Sequence, residues 1–161
     1  KTEYFDHVRQ VLQQLNFGPP LVSDADLEAY AVPRDWPVKP LLFLGAGWQP
    51  VEQQPDAGLK WRWMGQEAEL RLYNPLDQPV AATIKLSAAS YKQPRPLHLT
   101  LDGADAGTLS IAPDQPTTYQ VRLLVQPGEH SLMLHANAEP DPGRQNTPIS
   151  VRVFQITSDF R

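Results

Sequence analysis

The sequence predicts a mainly β protein: an antiparallel two-sheet sandwich of jelly-roll kind, preceded by one N-terminal α-helix. Three observations predict it. From Leu41 onward, apolar residues recur at every second position in eight or so short runs. Clusters of Pro, Gly, Asn and Asp separate the runs. No helical periodicity lies between them, which argues against alternating strands and helices. The 17 prolines among 161 residues, roughly twice the usual share of about 5%, suit a chain rich in loops and sheet edges.

The elements follow in chain order. Over residues 3–16, Tyr4, Val8, Val11, Leu12 and Leu15 form the stripe of an amphipathic helix, and Gly18-Pro19-Pro20 ends it. Leu21 to Val32 reads as a short extended pair around an acidic turn. Pro33 to Pro40 holds three prolines in eight residues and predicts a linker. The boundary is therefore set between residues 1–36, a helix and short extended pair that the resemblance described below implies is a connecting module, and a β-sandwich domain, residues 37–161. Within the sandwich Ala68, Leu70 and Leu72 alternate with polar residues, as do Ala82, Ile84 and Leu86, and then Leu97, Leu99 and Leu101. Leu109 and Ile111, Tyr119 to Val125, Leu132 and Leu134, and Ile149 to Ile156 continue the pattern.

Net charge is −4, with no Lys/Arg cluster, which disfavours nucleic acid and anionic membrane surfaces as partners. Cysteine is absent, which removes disulfides, thiolate catalysis and thiolate zinc sites. No apolar run approaches the roughly 18 residues of a membrane span, so no direct membrane insertion is expected. A chain that opens on Lys1 and runs straight into a helix reads as a piece of something longer.

Candidate chemistry is sparse. His7, His98, His130 and His135 share no metal-ligand spacing, and His98 and His135 alternate with leucines, so they read as surface residues. No metal site is predicted. Asp24, Asp26 and Glu28 resemble the first half of a calcium loop, but Ala29 stands where its glycine belongs, and turn chemistry is the better account. No cofactor is expected; the acidic turns leave room only for a structural calcium ion. Glu67 and Glu69 point the same way from one strand face, about 7 Å apart by strand rise, which describes a solvated face and not a catalytic pair.

Three of the four tryptophans fall between residues 48 and 63. Alternation puts Trp61 and Trp63 on one strand face, with Arg62 and Met64 on the other. Such rings either stack on the C–H face of a sugar or pack in the core. Core is favoured for Trp63, and for Trp61 the two readings balance. Trp48, Glu52, Trp61 and Arg62 are the candidate ligand-binding residues.

Gly18 to Tyr30, Leu42 to Glu52, Trp61 to Leu70, Asn74-Pro75, Leu101 to Gly103 and Leu124 to Gly128 together resemble the extracytoplasmic C-terminal region of bacterial membrane glycosyltransferases. Those enzymes are similar to the dolichyl-phosphate-mannose-protein mannosyltransferase superfamily. The resemblance implies a galactose-binding-like jelly roll outside the cytoplasm, tethered through a membrane-embedded region upstream. It also implies glycan or the parent enzyme as partner, and it singles out Gly47, Trp48, Glu52, Arg62, Trp63 and Met64. The expectation is a non-catalytic accessory or carbohydrate-binding-like domain. A purely structural or protein-interaction domain is the alternative, and a small glycan-active enzyme ranks last.

Overall fold

The computed structural model describes residues 8, 9, 11, 12, 17–24, 27–31 and 38–161. The chain divides into two compact units, Lys1–Val38 and Lys39–Arg161.

In the first unit, β1 (Val22–Ser23) pairs antiparallel with β2 (Glu28–Ala29), the extended pair expected around the acidic turn. Asp24 closes that turn, its Oδ1 accepting from the Leu27 N–H at 2.8 Å. Hydrogen bonds from Arg9 foremost, then from Tyr30, pull the Glu28 carboxyl down from its ordinary 4.5 to about 2. No α-helix is assigned as an element among the described residues. Of the helix expected over residues 3–16 only Val8, Arg9, Val11 and Leu12 are described, and these four have helical backbone. His7, Asp26 and most of the proline-rich linker lie outside the described residues.

The second unit contains β3 (Leu41–Leu44), β4 (Glu52–Gln54), β5 (Leu59–Trp63), β6 (Glu67–Asn74), β7 (Val80–Ser90) and β8 (Arg95–Leu101). It continues with β9 (Ala104–Ile111), β10 (Thr117–Val125), β11 (Gly128–His135), β12 (Glu139–Asp141), β13 (Thr147–Ile149) and β14 (Val151–Phe160). One five-stranded sheet has the order β10-β7-β14-β5-β4 and the other β3-β6-β11-β8-β9, while β12 and β13 form a separate ladder. The chain changes sheet between β3 and β4, β5 and β6, β6 and β7, β7 and β8, β9 and β10, and β10 and β11, while every ladder between named strands is antiparallel. This is a two-sheet β-sandwich.

The inward faces of both sheets meet in one core. Leu70, Leu72, Leu97, Leu99, Leu132 and Leu134 come from one sheet, and Ile84, Leu86, Val125, Val151 and Val153 from the other. Burying each such side chain contributes about 1.5–3 kcal/mol, so the alternation read in the sequence is also the main source of stability.

Trp63 is buried, as expected, but not between the two sheets. The inward residue directly after β5 is Met64, fully buried, whereas Trp63, only 7% exposed, stands outside the core cluster. The register explains this. Trp63 pairs with Arg152 and Arg62 with Val153, and since Val151 and Val153 face inward, Trp61 and Trp63 project from the outer face of their sheet. Trp63 is buried there by side chains that lie over the sheet, not by the opposing sheet.

Candidate functional site

The tryptophan-rich region is held by two backbone features. The β4–β5 hairpin pairs Glu52 with Trp61 and Gln53 with Lys60, and Gly58, at φ +63°, ends the short turn between the strands. Upstream, Gly47 takes φ +84° and passes so close to β6 that a Cβ there would sit 2.4 Å from the Glu67 carbonyl oxygen. Only glycine fits that approach. It delivers Trp48 to a bridge with Met64, and the Trp48 Nε1 donates to the Glu69 carbonyl at 2.7 Å. Trp48 thereby joins the edges of the two sheets.

An open groove of about 230 Å3 lies beside these residues. Leu44, Val51, Val153 and Ile156 give it apolar walls; Trp48, Phe154 and the β5 position of Trp61 border it; Lys60, Arg62 and Gln155 are its polar groups. Among the described residues its charged groups are thus cations, in a chain of net charge −4. Arg62 is fixed by donating from Nη1 to the Gln49 carbonyl at 2.9 Å, and among the described residues its other N–H groups have no hydrogen-bond partner.

On the outer face of the sheet the aromatics close around an arginine. The Arg152 guanidinium carbon lies 5.1 Å from the Phe154 ring centre, 5.8 Å from Trp63 and 6.0 Å from Trp61. A β-bulge makes this possible: the β14–β7 register shifts between Val153 and Gln155, so Phe154 is the extra residue and is re-aimed beside Trp61, ring centres 6.0 Å apart. Such cation–π contacts contribute roughly 0.5–2 kcal/mol each. Among the described residues the buried N–H groups of Trp61 and Trp63 and the Nε–H of Arg152 have no hydrogen-bond partner, a cost that these contacts offset only in part.

Glu52 belongs to a different network. Its carboxylate is held by both terminal nitrogens of Arg144, whose Nε also lies 3.0 Å from Asp141 Oδ2. Arg144 stacks over Trp63 at 5.6 Å, and Tyr91, edge-on to Trp63 at 5.8 Å, donates to Asp141 at 3.2 Å. Residues around the β12–β13 ladder therefore act as a strap that covers Trp63. Of the four residues singled out from the sequence, Trp48, Trp61 and Arg62 line the groove, while Glu52 is bound to the strap.

Phe154, Val153 and Ile156 were not among the site residues drawn from the sequence. They come from the last strand, about ninety residues beyond Trp61, and no local signal marks them; only the pairing of β14 with β5 brings them to the groove.

A second concavity, about 340 Å3, is polar and includes Glu69, Arg71, Asp102, His130 and Ser131. Its Asp102–His130 pair has the composition of a catalytic dyad but not the freedom of one. Nδ1 of His130 lies 2.6 Å from Asp102 and Nε2 lies 2.8 Å from the Gln126 carbonyl, so neither nitrogen is available as a base. Glu69 is likewise engaged by Ser131, Ala46 and Arg71, and these bonds hold its carboxyl below the usual range. Among the described residues no group of three or more His, Cys, Asp or Glu side chains is placed to hold a metal ion, and no helix is long and apolar enough to cross a membrane.

No protein-family model matches the chain, and neither does any curated protein. Among solved structures it is similar to a family 35 carbohydrate-binding module from an environmental isolate, at 14% identity and TM-score 0.46, over 74% of this chain and 92% of that one. It is also similar to the family 35 module of Cellvibrio japonicus Abf62, at 15% identity and TM-score 0.47, over 75% and 96% of the two chains. A family 36 module solved with calcium and xylotriose matches at 11% identity and TM-score 0.40, over 77% and 100%. At this level of similarity a function has to come from the groove itself.

Proposed function

We propose that this chain is a non-catalytic carbohydrate-binding module whose ligand lies in the groove bordered by Trp48, Trp61 and Arg62. The observation that carries the reading is the composition of that groove. Aromatic and apolar walls suit the C–H faces of a sugar ring, and Lys60, Arg62 and Gln155 stand beside them as donors to its hydroxyls. At about 230 Å3 the groove is smaller than the roughly 300–1,000 Å3 of drug-sized pockets, which suits one or two sugar rings laid across an open surface. Attachment to a membrane glycosyltransferase outside the cytoplasm is the finer part of the proposal, and it rests on the sequence resemblance alone.

A glycan array followed by calorimetric titration of the hits tests the reading. Trp61→Ala is expected to weaken binding several-fold or more, corresponding to about 1 kcal/mol of aromatic contact, and Arg62→Gln to weaken it further for ligands rich in acceptors. A protein that binds no sugar, or binds equally well without the Trp61 ring, would refute it.

One observation favours a second reading, a protein-contact domain. Leu41, Phe43 and Tyr73 are 56%, 44% and 38% exposed and sit together at the β3 edge of its sheet, which among the described residues pairs with no further strand. Phe43→Lys would then abolish a concentration-dependent association seen by sedimentation, and a wild-type protein monomeric at all concentrations would exclude self-association through this edge.

A further inference from the structure

The four histidines share no ligand spacing along the chain, yet the fold sets two of them side by side. His135 on β11 and His98 on β8 are paired positions of one antiparallel ladder. Their neighbours Leu134, Leu97 and Leu99 are buried, so both imidazoles stand on the outer face of the sheet. Side chains at directly opposed positions start from Cβ atoms about 4.5–5.5 Å apart, within the span of two ligands to one ion. The rings are also oriented. Nδ1 of His98 lies 2.9 Å from Thr108 Oγ1 on β9, and Nδ1 of His135 lies 3.4 Å from Glu67 Oε1 on β6.

The sheet order β6-β11-β8-β9 puts Glu67 and Thr108 on opposite outer sides of the pair. Each ring therefore turns Nδ1 away from the other. An Nδ1–H given to these oxygens leaves the Nε2 lone pair free, which is the tautomer a metal requires and the arrangement of an outer-shell carboxylate behind a ligating histidine.

We propose that His98 and His135 form a two-imidazole chelate for a divalent transition metal of the imidazole-preferring class, zinc or copper(II). Each Nε2 is a ligand, water completes the coordination, and Glu67 and Thr108 hold the ring tautomers. The site is independent of the sugar-binding groove, and with only two protein ligands it is a surface site of modest affinity.

Zinc(II) titration of the intact chain, followed by the imidazole resonances in NMR, tests it. His98 and His135 are expected to shift together and saturate at one equivalent, with a change at Nε2 and not at Nδ1. His130, whose two nitrogens are both engaged, should stay unchanged. His98→Gln and His135→Gln should each weaken zinc binding by about tenfold or more, and Glu67→Gln by less, within the range typical of outer-shell partners. Both histidines are solvent-facing, and circular dichroism of the variants checks that the fold is kept. Independent saturation of the two rings, a shift at only one of them, or unchanged affinity in the double variant would overturn the proposal.

Discussion

Asn74 provides a quantitative test of how the two sheets are joined. It is 1% exposed and ends β6, where the chain leaves one sheet for the other. Its Nδ2 donates to the Gln78 carbonyl at 2.9 Å and to the Val125 carbonyl at 3.1 Å, while its Oδ1 accepts from the Leu76 N–H at 3.1 Å. One amide thus closes the β6–β7 turn and ties it to the end of β10. Asn74→Ala removes three hydrogen bonds of about 1 kcal/mol each and leaves two carbonyls and one N–H without that partner. Orphaned groups cost about 1–3 kcal/mol when they stay dry, but turn groups recover part of this from water. The net loss is about 3–5 kcal/mol, a large share of a total stability of about 5–15 kcal/mol. At roughly 2–4 °C per kcal/mol for a chain of this size, the midpoint should fall by about 6–20 °C. Urea denaturation and a thermal scan measure both quantities. Asn74→Asp keeps the shape but loses both donors, so it should be at least as damaging. A loss below about 1 kcal/mol for either variant would show that the amide does not join the sheets as described.

Three further outcomes are expected. Gly47→Ala should destabilise the fold by about 2 kcal/mol or more and displace Trp48, because the added Cβ meets backbone atoms at 2.4 and 2.9 Å at a positive φ; urea midpoints check it, and a neutral result would refute the close approach. Arg144→Met should uncover Trp63 by freeing the strap from Glu52 and Asp141, seen as a red shift in tryptophan emission and a stability loss of about 1–3 kcal/mol. The Asp102–His130 pair makes stability depend on pH at both ends. Hydrogen bonding to Asp102 raises His130 above 6.5, so its contribution is complete below that value and disappears as pH rises through the raised folded pKa. The same bond lowers Asp102 below 3.8, so its contribution is present above that value and disappears as pH falls through the lowered folded pKa. Asp102→Asn should return His130 toward 6.5 in an NMR titration, and a wild-type His130 already titrating at or below 6.5 would contradict the pairing.

The parts of the fold legible in the sequence were those governed by local periodicity. Leu70 and Leu72, Ile84 and Leu86, Leu97 and Leu99, and Leu132 and Leu134 are buried where alternation puts them, because a strand turns successive side chains to opposite faces whatever its partners. The acidic turn of the first unit was legible for the same reason: an aspartate that bonds the backbone three residues on needs no distant partner. Alternation also separated Trp61 and Trp63 from Arg62 and Met64, but it carries no sign. Which face looks inward is decided by pairing with β14, where Val151 and Val153 take the core side and leave the tryptophans to Arg152, Tyr91 and Arg144.

The site residues divide along the same line. Trp48, Trp61 and Arg62 are close in sequence and remain close in the groove, whereas Glu52, equally close, is drawn off by an arginine ninety-two residues away. The pairing of His98 with His135 likewise has no trace in spacing, since it arises from the register of β8 on β11. The sequence by itself determined the sandwich, its core residues and the neighbourhood of the candidate groove, because period-two patterning and turn chemistry act between residues a few positions apart. The tertiary structure alone decided which face each tryptophan takes, what Glu52 binds and which histidines meet, because those depend on strand register, and register is set by contacts between residues far apart in the chain.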